Sequence, residues 1–289
     1  MGQMERLFLS IGAMKAGTTW LYSILKRHPD IHFTPEKEIH FLAHHYLNKK
    51  HLTDEHRLHR VRTRLNNIGN LRPERQKLIR DWYNDYYLKG ATSVPWYKNL
   101  FNGNKGRRAW NADFSNLSAL IPAEGWTRLR SEVSKQTKAI YILREPCERL
   151  WSQYKFSGQS HENIHPSDFE QQIEHFLSNS AVNRHSQYCS NLDAVCDGLG
   201  HQNAKAILFD DIENQPEALL ASIEQFLEIP ARDHSGHNNL NRRINTTVVQ
   251  APPAVFRKHC APIVARELNG LLARGIAVPS RWMEMETPA

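Results

Sequence analysis

The sequence predicts an α/β protein with a P-loop-like parallel sheet of about five strands, flanked by helices on both faces. Three observations lead to this fold. Short apolar runs alternate along the chain with longer segments of helical periodicity. Two of these runs, 7–11 and 139–143, pass directly into a loop and then a helix. The first of those loops contains the glycines typical of phosphate binding at a helix N-terminus.

The elements can be assigned in order along the 289 residues. Strands are expected at 7–11, 31–33, 107–114, 139–143 and 204–209. Helices are expected through Leu25 and at 147–156, 166–179, 185–197, 215–227 and 255–273. Residues 46–90 are polar, mostly helical in pattern and rich in basic side chains. We expect a single domain over 1–289, with 46–90 as a helical insert or lid on the substrate side.

The first loop, Gly12-Ala-Met-Lys15-Ala-Gly17-Thr18-Thr19, predicts a phosphate site. Backbone N–H groups and the positive end of the following helix would face an anion. A Walker A loop requires Gly-x-x-x-x-Gly-Lys-Ser/Thr, but Thr18 occupies the lysine position and Lys15 lies inside the loop. The expected ligand therefore carries phosphate but is not a magnesium nucleoside triphosphate. The alternative is a plain strand–turn–helix with an ordinary lysine.

The second signal follows the strand at 139–143. Arg144 lies at the carboxyl end of this strand, where open α/β sheets bind ligands, and Pro146 suits the first turn of the next helix. Ser152 comes about two helical turns later and can lie on the same side. A guanidinium fork and a hydroxyl suit a phosphate. The alternative is that Arg144 forms a structural ion pair with Glu145 or Glu148.

These two motifs resemble those of the PAPS-dependent sulfotransferases, where PAPS is 3′-phosphoadenosine 5′-phosphosulfate. Lys15-Ala-Gly-Thr-Thr-Trp-Leu21 matches the fixed positions of the family's 5′-phosphosulfate loop, Lys-x-Gly-Thr-Thr-Trp-Leu. The Arg144 and Ser152 spacing resembles the family's 3′-phosphate site. The resemblance implies transfer of a sulfuryl group from PAPS to a hydroxyl or amine of a small molecule or saccharide. It also implies that the product is adenosine 3′,5′-bisphosphate.

The resemblance also implies a set of nucleotide-binding residues. They are Lys15, Ala16, Gly17, Thr18, Thr19, Trp20, Arg144, Ser152, Tyr188, Arg242 and Arg243. By this resemblance, Trp20 would stack on adenine and Tyr188 would lie near the nucleotide. Arg242 and Arg243 would close over the 3′-phosphate. The alternatives are core packing for Trp20 and Tyr188 and a solvated surface for the arginine pair.

Catalysis by such an enzyme needs a base for the acceptor proton and positive charge at the leaving phosphate oxygen. Lys37-Glu38-Ile39-His40-Phe41 resembles the family's Lys-Glu-x-x-Phe-Phe segment, with Leu42 in place of the second aromatic residue. The resemblance makes Glu38 the first candidate base, His40 the second, and Lys15 the group that stabilises the leaving oxygen. In an extended segment both candidates would face the same side. The alternatives are a solvated carboxylate at Glu38 and a packing histidine at His40.

Composition agrees with an anionic ligand, because the formal net charge is +7. A P-loop kinase or NTPase and a basic nucleic-acid-binding protein are the alternative classes. The first lacks its Gly-Lys-Ser/Thr motif, and nucleic-acid-binding motifs are absent from the sequence. The histidines lack the His-Glu-x-x-His pattern, so we expect no metal. With no apolar stretch of membrane-spanning length, we expect a cytoplasmic protein that does not span a membrane.

Overall fold

The computed structural model describes residues 3–48, 50–104, 108–158, 165–242 and 250–284. It contains a five-stranded parallel sheet flanked by helices, which confirms the predicted fold class. The strands are β1 (Met4–Gly12), β2 (Ile31–Phe33), β3 (Trp110–Phe114), β4 (Ser134–Leu143) and β5 (Ala204–Leu208). Their order in the sheet is β2-β3-β1-β4-β5.

Helices occupy most of the chain between the strands. In the first half they are α1 (Thr18–Leu25), α2 (Phe41–Tyr46), α3 (Asp54–Asn66), α4 (Pro73–Trp82), α5 (Val94–Asn99) and α6 (Ala123–Glu132). In the second half they are α7 (Pro146–Phe156), α8 (Pro166–Ser178), α9 (Ser180–His185), α10 (Tyr188–Leu199), α11 (Phe209–Asn214), α12 (Pro216–Leu227), α13 (Ala254–Ala273) and α14 (Ser280–Glu284). A π-helical turn, Tyr83–Tyr87, follows α4.

Most predicted elements are present, but their bounds differ in places. The strands β1 and β4 begin earlier than predicted, at Met4 and Ser134, and β3 begins at Trp110, while residue 107 lies outside the described residues. The predicted helix at 185–197 is divided, because α9 ends at His185 and α10 begins at Tyr188. The predicted strand at 204–209 is one residue too long, since Phe209 already begins α11. The insert at 46–90 is mainly helical, as predicted. Its role as a lid and the single-domain assignment stay predictions.

The chain forms two compact units. The first consists of Met1–Ile11, Ile24–Ala139 and Ala194–Ala204, and the second of Gly12–Ser23, Ile140–Asp193 and Lys205–Ala289. Each unit has its own aromatic core. Trp110 and Trp126 are fully buried in the first unit. In the second, the rings of Trp151 and Tyr154 stack at 5.4 Å and Phe256 packs edge-on against Trp151 at 5.0 Å.

In the first unit, strand pairing fixes the ends of β1 and β3. The two strands are parallel, with Ser10 opposite Phe114, and the Ser115 N–H donates to the Ser10 carbonyl at 3.2 Å. The Glu38 N–H then donates to the Phe114 carbonyl at 2.9 Å. The candidate base is therefore attached by its backbone to the carboxyl end of β3.

In the second unit, the loop before α1 is attached to β4. The Ala13 N–H donates to the Ile142 carbonyl at 2.8 Å. The chain leaves β4 at Arg144 and begins α7 at once, because Pro146 supplies a helical φ and Glu145 caps the helix. The Glu145 carboxylate accepts from the backbone N–H groups of Cys147 and Glu148 at 2.9 and 2.6 Å. Arg144 thus occupies a fixed position between a strand end and a capped helix.

Candidate functional site

The loop between β1 and α1 is a tight turn at the N-terminus of a helix. Lys15 and Gly17 have φ angles of 68° and 89°, in the left-handed region that favours glycine. A Cβ atom at Gly17 would lie 2.8 Å from Ile212 Cδ1 and 3.1 Å from the Phe209 ring. Both the backbone conformation and the space therefore call for glycine at this position. The first turn of α1 follows directly, and the N–H groups of a first turn are suited to an anion.

Three basic side chains form what we call the cationic cluster: Lys15, Arg144 and Lys155. Burial lowers the pKa of Lys15, and the charges of Arg144 and Lys155 lower it further. Burial and the charge of Arg144 also lower the pKa of Lys155. The Lys15 ammonium lies 4.1 Å from the centre of the Phe156 ring, a cation–π contact. Positive charges held close together repel one another, so the three basic side chains are stabilised when an anion binds beside them.

Arg144 is held from several directions. Its Nη1 donates to the Lys15 carbonyl at 3.3 Å, and its guanidinium lies 4.7 Å from the centre of the Phe209 ring. Its Nε and Nη2 each lie 3.3 Å from Glu148 Oε2. The ion pair considered as the alternative for Arg144 is therefore present in the structure. It does not exclude a ligand, because the arginine side chain keeps 22% of its surface exposed.

The predicted nucleotide-binding residues in this unit also include Trp20, Arg242 and Arg243. Trp20 is buried, and its indole N–H donates to the carbonyls of Asn239 and Leu240 at 3.0 and 3.1 Å. The indole thus holds the segment that leads to Arg242, which is exposed. Arg243 lies outside the described residues.

Tyr188 supports the chain at Arg144, whereas Ser152 is placed only by its position in α7. Tyr188 is fully buried, and its hydroxyl donates to the Arg144 carbonyl at 2.9 Å. Ser152 is a buried residue of α7. Ala16 and Thr18 are also buried, and Thr18 and Thr19 begin α1. The nucleotide contacts of these residues stay predictions.

The Glu38 segment, residues 34–41, lies in the first unit and has an irregular backbone. One Glu38 carboxylate oxygen accepts from the Asn116 N–H at 3.0 Å. The Arg60 guanidinium donates to the Glu38 carbonyl and, at 2.6 Å, to the carbonyl of the preceding residue. The Glu38 side chain keeps 22% of its surface exposed. The carboxylate is thus positioned by backbone contacts and remains accessible to solvent.

The expectation that the Glu38 segment is extended at the two candidate bases is wrong. Glu38 and His40 have φ angles of 58° and 61°, so both adopt the left-handed conformation. Their side chains still approach each other, with His40 Nε2 lying 3.7 Å from Glu38 Oε2. Burial lowers the pKa of His40 to about 3, and the charges of Arg60, His51 and Lys37 act in the same direction. His40 is therefore neutral at neutral pH and a weak proton acceptor.

A buried polar chain supports the Glu38 segment from β3. The Ser115 hydroxyl accepts from the His40 N–H at 3.1 Å and donates to Asp113 Oδ1 at 2.7 Å. The Tyr97 hydroxyl donates to Asp113 Oδ2 at 2.9 Å. Burial raises the pKa of Asp113 to about 6, and the two hydroxyl hydrogen bonds oppose that rise. Asp113 and Ser115 thus fix the backbone beside the candidate base.

Some side chains of the candidate site have no motif in the sequence. Lys155 lies eleven residues after Arg144, and only the length of α7 indicates that it could share a face with Ser152, three residues earlier. Arg60 belongs to α3, in the insert, and no local pattern links it to Glu38. The position of Lys155 in the cationic cluster and the contact of Arg60 with Glu38 each depend on how distant segments of the same unit pack.

The parallel sheet, the loop before α1 and the cationic cluster together define an α/β protein suited to a polyanionic ligand. The family model described as "Sulfotransferase family" matches residues 8–233. The chain therefore belongs to the sulfotransferase family, as the two motifs predicted.

The chain is also similar to individual proteins. A curated relative, the membrane-associated sulfotransferase kil1 of Dictyostelium discoideum, is 30% identical over 174 residues, which are 60% of this chain and 28% of that protein. The chain thus spans about a quarter of the length of this relative. The crystal structure of a sulfotransferase from Alicyclobacillus acidocaldarius has a TM-score of 0.63 at 20% identity, covering 98% of this chain and 100% of the other. The sulfotransferase domain of the Synechococcus PCC 7002 olefin synthase has a TM-score of 0.54 at 15% identity, covering 96% and 98%. The two structures share the fold.

Among the described residues, none of the helices combines the length and apolar character needed to cross a bilayer. In the same part of the chain, no group of three or more His, Cys, Asp or Glu side chains could hold a metal ion. The predictions of a cytoplasmic location and of metal-independent chemistry stay predictions.

Proposed function

We propose that the chain transfers the sulfuryl group of PAPS to a hydroxyl or amine of a small-molecule or saccharide acceptor. The observation that carries this proposal is the cationic cluster beside a helix N-terminus, in a chain that belongs to the sulfotransferase family. The loop lacks the Gly-Lys-Ser/Thr of magnesium-nucleotide enzymes, which favours a different phosphate donor.

The residues of the second unit fit the proposed donor. PAPS carries negative charge at both its 5′-phosphosulfate and its 3′-phosphate. The pKa of Lys15 is lowered by burial and by two neighbouring cations, so an anion beside these groups would relieve their repulsion. Arg144 and Lys155 supply further positive charge to balance the second phosphate.

In the proposal, the donor is bound by two sets of side chains. Lys15 and the amides of 16–19 hold the 5′-phosphosulfate, and Lys15 stabilises the charge that develops on the departing phosphate oxygen. Arg144 and Ser152 hold the 3′-phosphate, with Arg242 and Arg243 closing over it. PAPS itself supplies the sulfuryl group and the phosphate leaving group. These groups act by position and charge, so no covalent enzyme intermediate is required.

Glu38 is the proposed base. The Asn116 N–H at 3.0 Å and the Lys37 ammonium at 3.5 Å use part of the acceptor capacity of its carboxylate, and the remaining lone pairs can take an acceptor proton. His40 is a weaker candidate because its pKa is about 3, so its ring has little tendency to take a proton at neutral pH. We assign to His40 a supporting contact with the Glu38 carboxylate, at 3.7 Å.

The test is a transfer assay with sulfur-labelled PAPS and a panel of phenols, alcohols, amines and saccharides. The proposal predicts that label moves to at least one acceptor without added magnesium. The control uses ATP labelled in its terminal phosphate. Transfer of that label, with none from PAPS, would contradict the proposal and indicate a kinase.

A further inference from the structure

A line of alternating charges connects Arg144 to the C-terminal helix α14. Glu148 Oε2 lies 3.3 Å from the Arg144 guanidinium, and Glu148 Oε1 accepts from Arg281 Nη1 at 2.9 Å. Arg281 Nε in turn donates to Asp210 Oδ1 at 2.5 Å. A single carboxylate is therefore shared by two arginines, of which only Arg144 belongs to the cationic cluster.

The far end of this line is firmly anchored. Trp282 is fully buried, and its indole N–H donates to Asp210 Oδ2 at 3.1 Å. Asp210 is itself buried and follows Phe209, the ring that lies against the Arg144 guanidinium. The neighbouring Trp282 therefore restricts Arg281 to the side of Glu148, and α11 carries contacts to both arginines.

The shared carboxylate has a direct electrostatic consequence. A phosphate that binds Arg144 must compete with Glu148 for the same guanidinium, and the two anions repel each other. Arg281 pairs with the other carboxylate oxygen of Glu148 and therefore offsets part of the negative charge that Glu148 presents to Arg144. The balance between these two contacts determines how much of the Arg144 guanidinium is available to a ligand.

We propose that Glu148 and Arg281 are positioning residues that set how tightly Arg144 binds the 3′-phosphate of the nucleotide. Glu148 limits the affinity, and Arg281 raises it by holding Glu148. This inference rests on the proposed function, because it takes Arg144 as the 3′-phosphate ligand. The relevant quantity is the ratio of the Kd for adenosine 5′-phosphate to the Kd for adenosine 3′,5′-bisphosphate.

The inference predicts opposite effects for two neighbouring substitutions. Glu148→Gln removes the competing charge while keeping an acceptor oxygen, so the ratio rises. Arg281→Gln leaves Glu148 to pair with Arg144 alone, so the ratio falls. Each change is expected to be about 2- to 5-fold, the range of partly exposed ion pairs. A purely structural role would instead weaken both nucleotides together.

The double variant tests whether Arg281 acts through Glu148. Once Glu148 is neutral, Arg281 has no charge to hold, so Glu148→Gln/Arg281→Gln should match Glu148→Gln alone. This non-additivity is expected only for coupled residues. Arg281→Lys should give a ratio between those of wild type and Arg281→Gln, because the lysine keeps a positive charge but loses the fork that joins Glu148 to Asp210.

A matched control is Arg274→Gln. Arg274 Nε pairs with Asp193 at 2.7 Å in the same unit and has no described link to Arg144, so its loss should leave the ratio unchanged. Thermal unfolding of each variant identifies any that fails to fold, and if Arg281→Gln fails, the rise predicted for Glu148→Gln still tests the inference.

Calorimetric titration of both nucleotides against the full chain decides among the outcomes. Opposite shifts with a non-additive double variant support the inference. A wild-type preference for adenosine 3′,5′-bisphosphate that none of the variants changes would overturn the inference and leave the proposed function standing. A wild-type chain with no such preference would overturn both.

Discussion

The cationic cluster and the Glu38 segment satisfy their polar groups in different ways. In the Glu38 segment, protein groups fill the main contacts, since Arg60 binds two carbonyls and Asn116 binds the Glu38 carboxylate. In the cationic cluster, burial lowers the pKa of Lys15, and the charges of Arg144 and Lys155 lower it further. The first arrangement fixes the position of one carboxylate. The second favours an anion from outside the protein, which is the behaviour expected of a donor site.

The comparison is tested most strongly at Glu38. Glu38→Gln keeps the shape of the side chain but removes its basic charge, so turnover should fall by about 10²–10⁴ if the carboxylate is the general base. Nucleotide affinity should stay near wild type, because the role of Glu38 concerns the acceptor proton. Steady-state kinetics with an acceptor found by screening, combined with nucleotide titration, measures both quantities.

Glu36→Gln is the matched control for this substitution. Glu36 belongs to the same segment but is paired with Arg64 at 2.9 Å, so turnover should change little. Near-normal turnover in Glu38→Gln, together with an inactive His40→Ala variant, would move the base to His40.

The cationic cluster is tested at Arg144. Arg144→Ala should weaken adenosine 3′,5′-bisphosphate by about 2–4 kcal/mol, the scale of losing one partner of a charged hydrogen bond. It should also abolish the preference over adenosine 5′-phosphate, because that ligand lacks the group that Arg144 binds. Arg274→Ala is the control, and an equal loss for both nucleotides in Arg144→Ala would disprove the assignment.

The two regions were not equally predictable from the sequence. Lys15, Gly17 and Arg144 lie where a strand meets a loop or helix, and local patterns are informative at such junctions. The left-handed conformations of Glu38 and His40 have no local signal, since neither is a glycine. They depend on contacts with Arg60 and the end of β3, which are distant along the chain.

Around the cationic cluster, the contacts without a sequence signal also join residues that are distant along the chain. Arg144 could be predicted from the end of β4, but its partnership with the C-terminal helix could not. Arg281 contacts Glu148 across 133 positions of the chain, and neither belongs to a recognisable motif there. Periodicity predicts which face of a helix is apolar, but not which distant arginine pairs with a carboxylate on it.

The support beneath the Glu38 segment predicts a pH dependence. The pKa of Asp113 is raised by burial to about 6, whereas an aspartate in the unfolded chain titrates near about 3.9. The folded state therefore binds more protons in this window, and the free energy of unfolding falls as pH rises from about 4 to 6. In this window the free energy of unfolding of the wild-type protein should fall by on the order of 3 kcal/mol, and Asp113→Asn should abolish that pH dependence.

Denaturant titrations at several pH values measure this difference. Asp197→Asn, at an exposed position of α10 in the same unit, should follow the wild-type curve. An Asp113→Asn curve parallel to wild type between these pH values would show that Asp113 is not a buried, protonatable acid in the folded protein.

The smallest expected effect is at the loop. Gly17→Ala places a Cβ 2.8 Å from Ile212 Cδ1 at a φ of 89°, so it should destabilise the fold by about 1–3 kcal/mol through overpacking and strain. Gly275→Ala is the matched control, because Gly275 has a φ of 73° and nothing within 4 Å of an added Cβ. Thermal unfolding should show a larger loss for Gly17→Ala, and equal losses would mean that strain alone acts at Gly17.

The central claim is that the cationic cluster binds a nucleotide with a 3′-phosphate and needs no magnesium. Calorimetric titration of the wild-type chain with adenosine 3′,5′-bisphosphate, adenosine 5′-phosphate and ATP, each with and without magnesium, tests it most directly. The account predicts tightest binding of adenosine 3′,5′-bisphosphate, unchanged by magnesium, and a stabilisation of about 2.7 kcal/mol at 100-fold excess over Kd. Tighter binding of magnesium ATP would contradict the account.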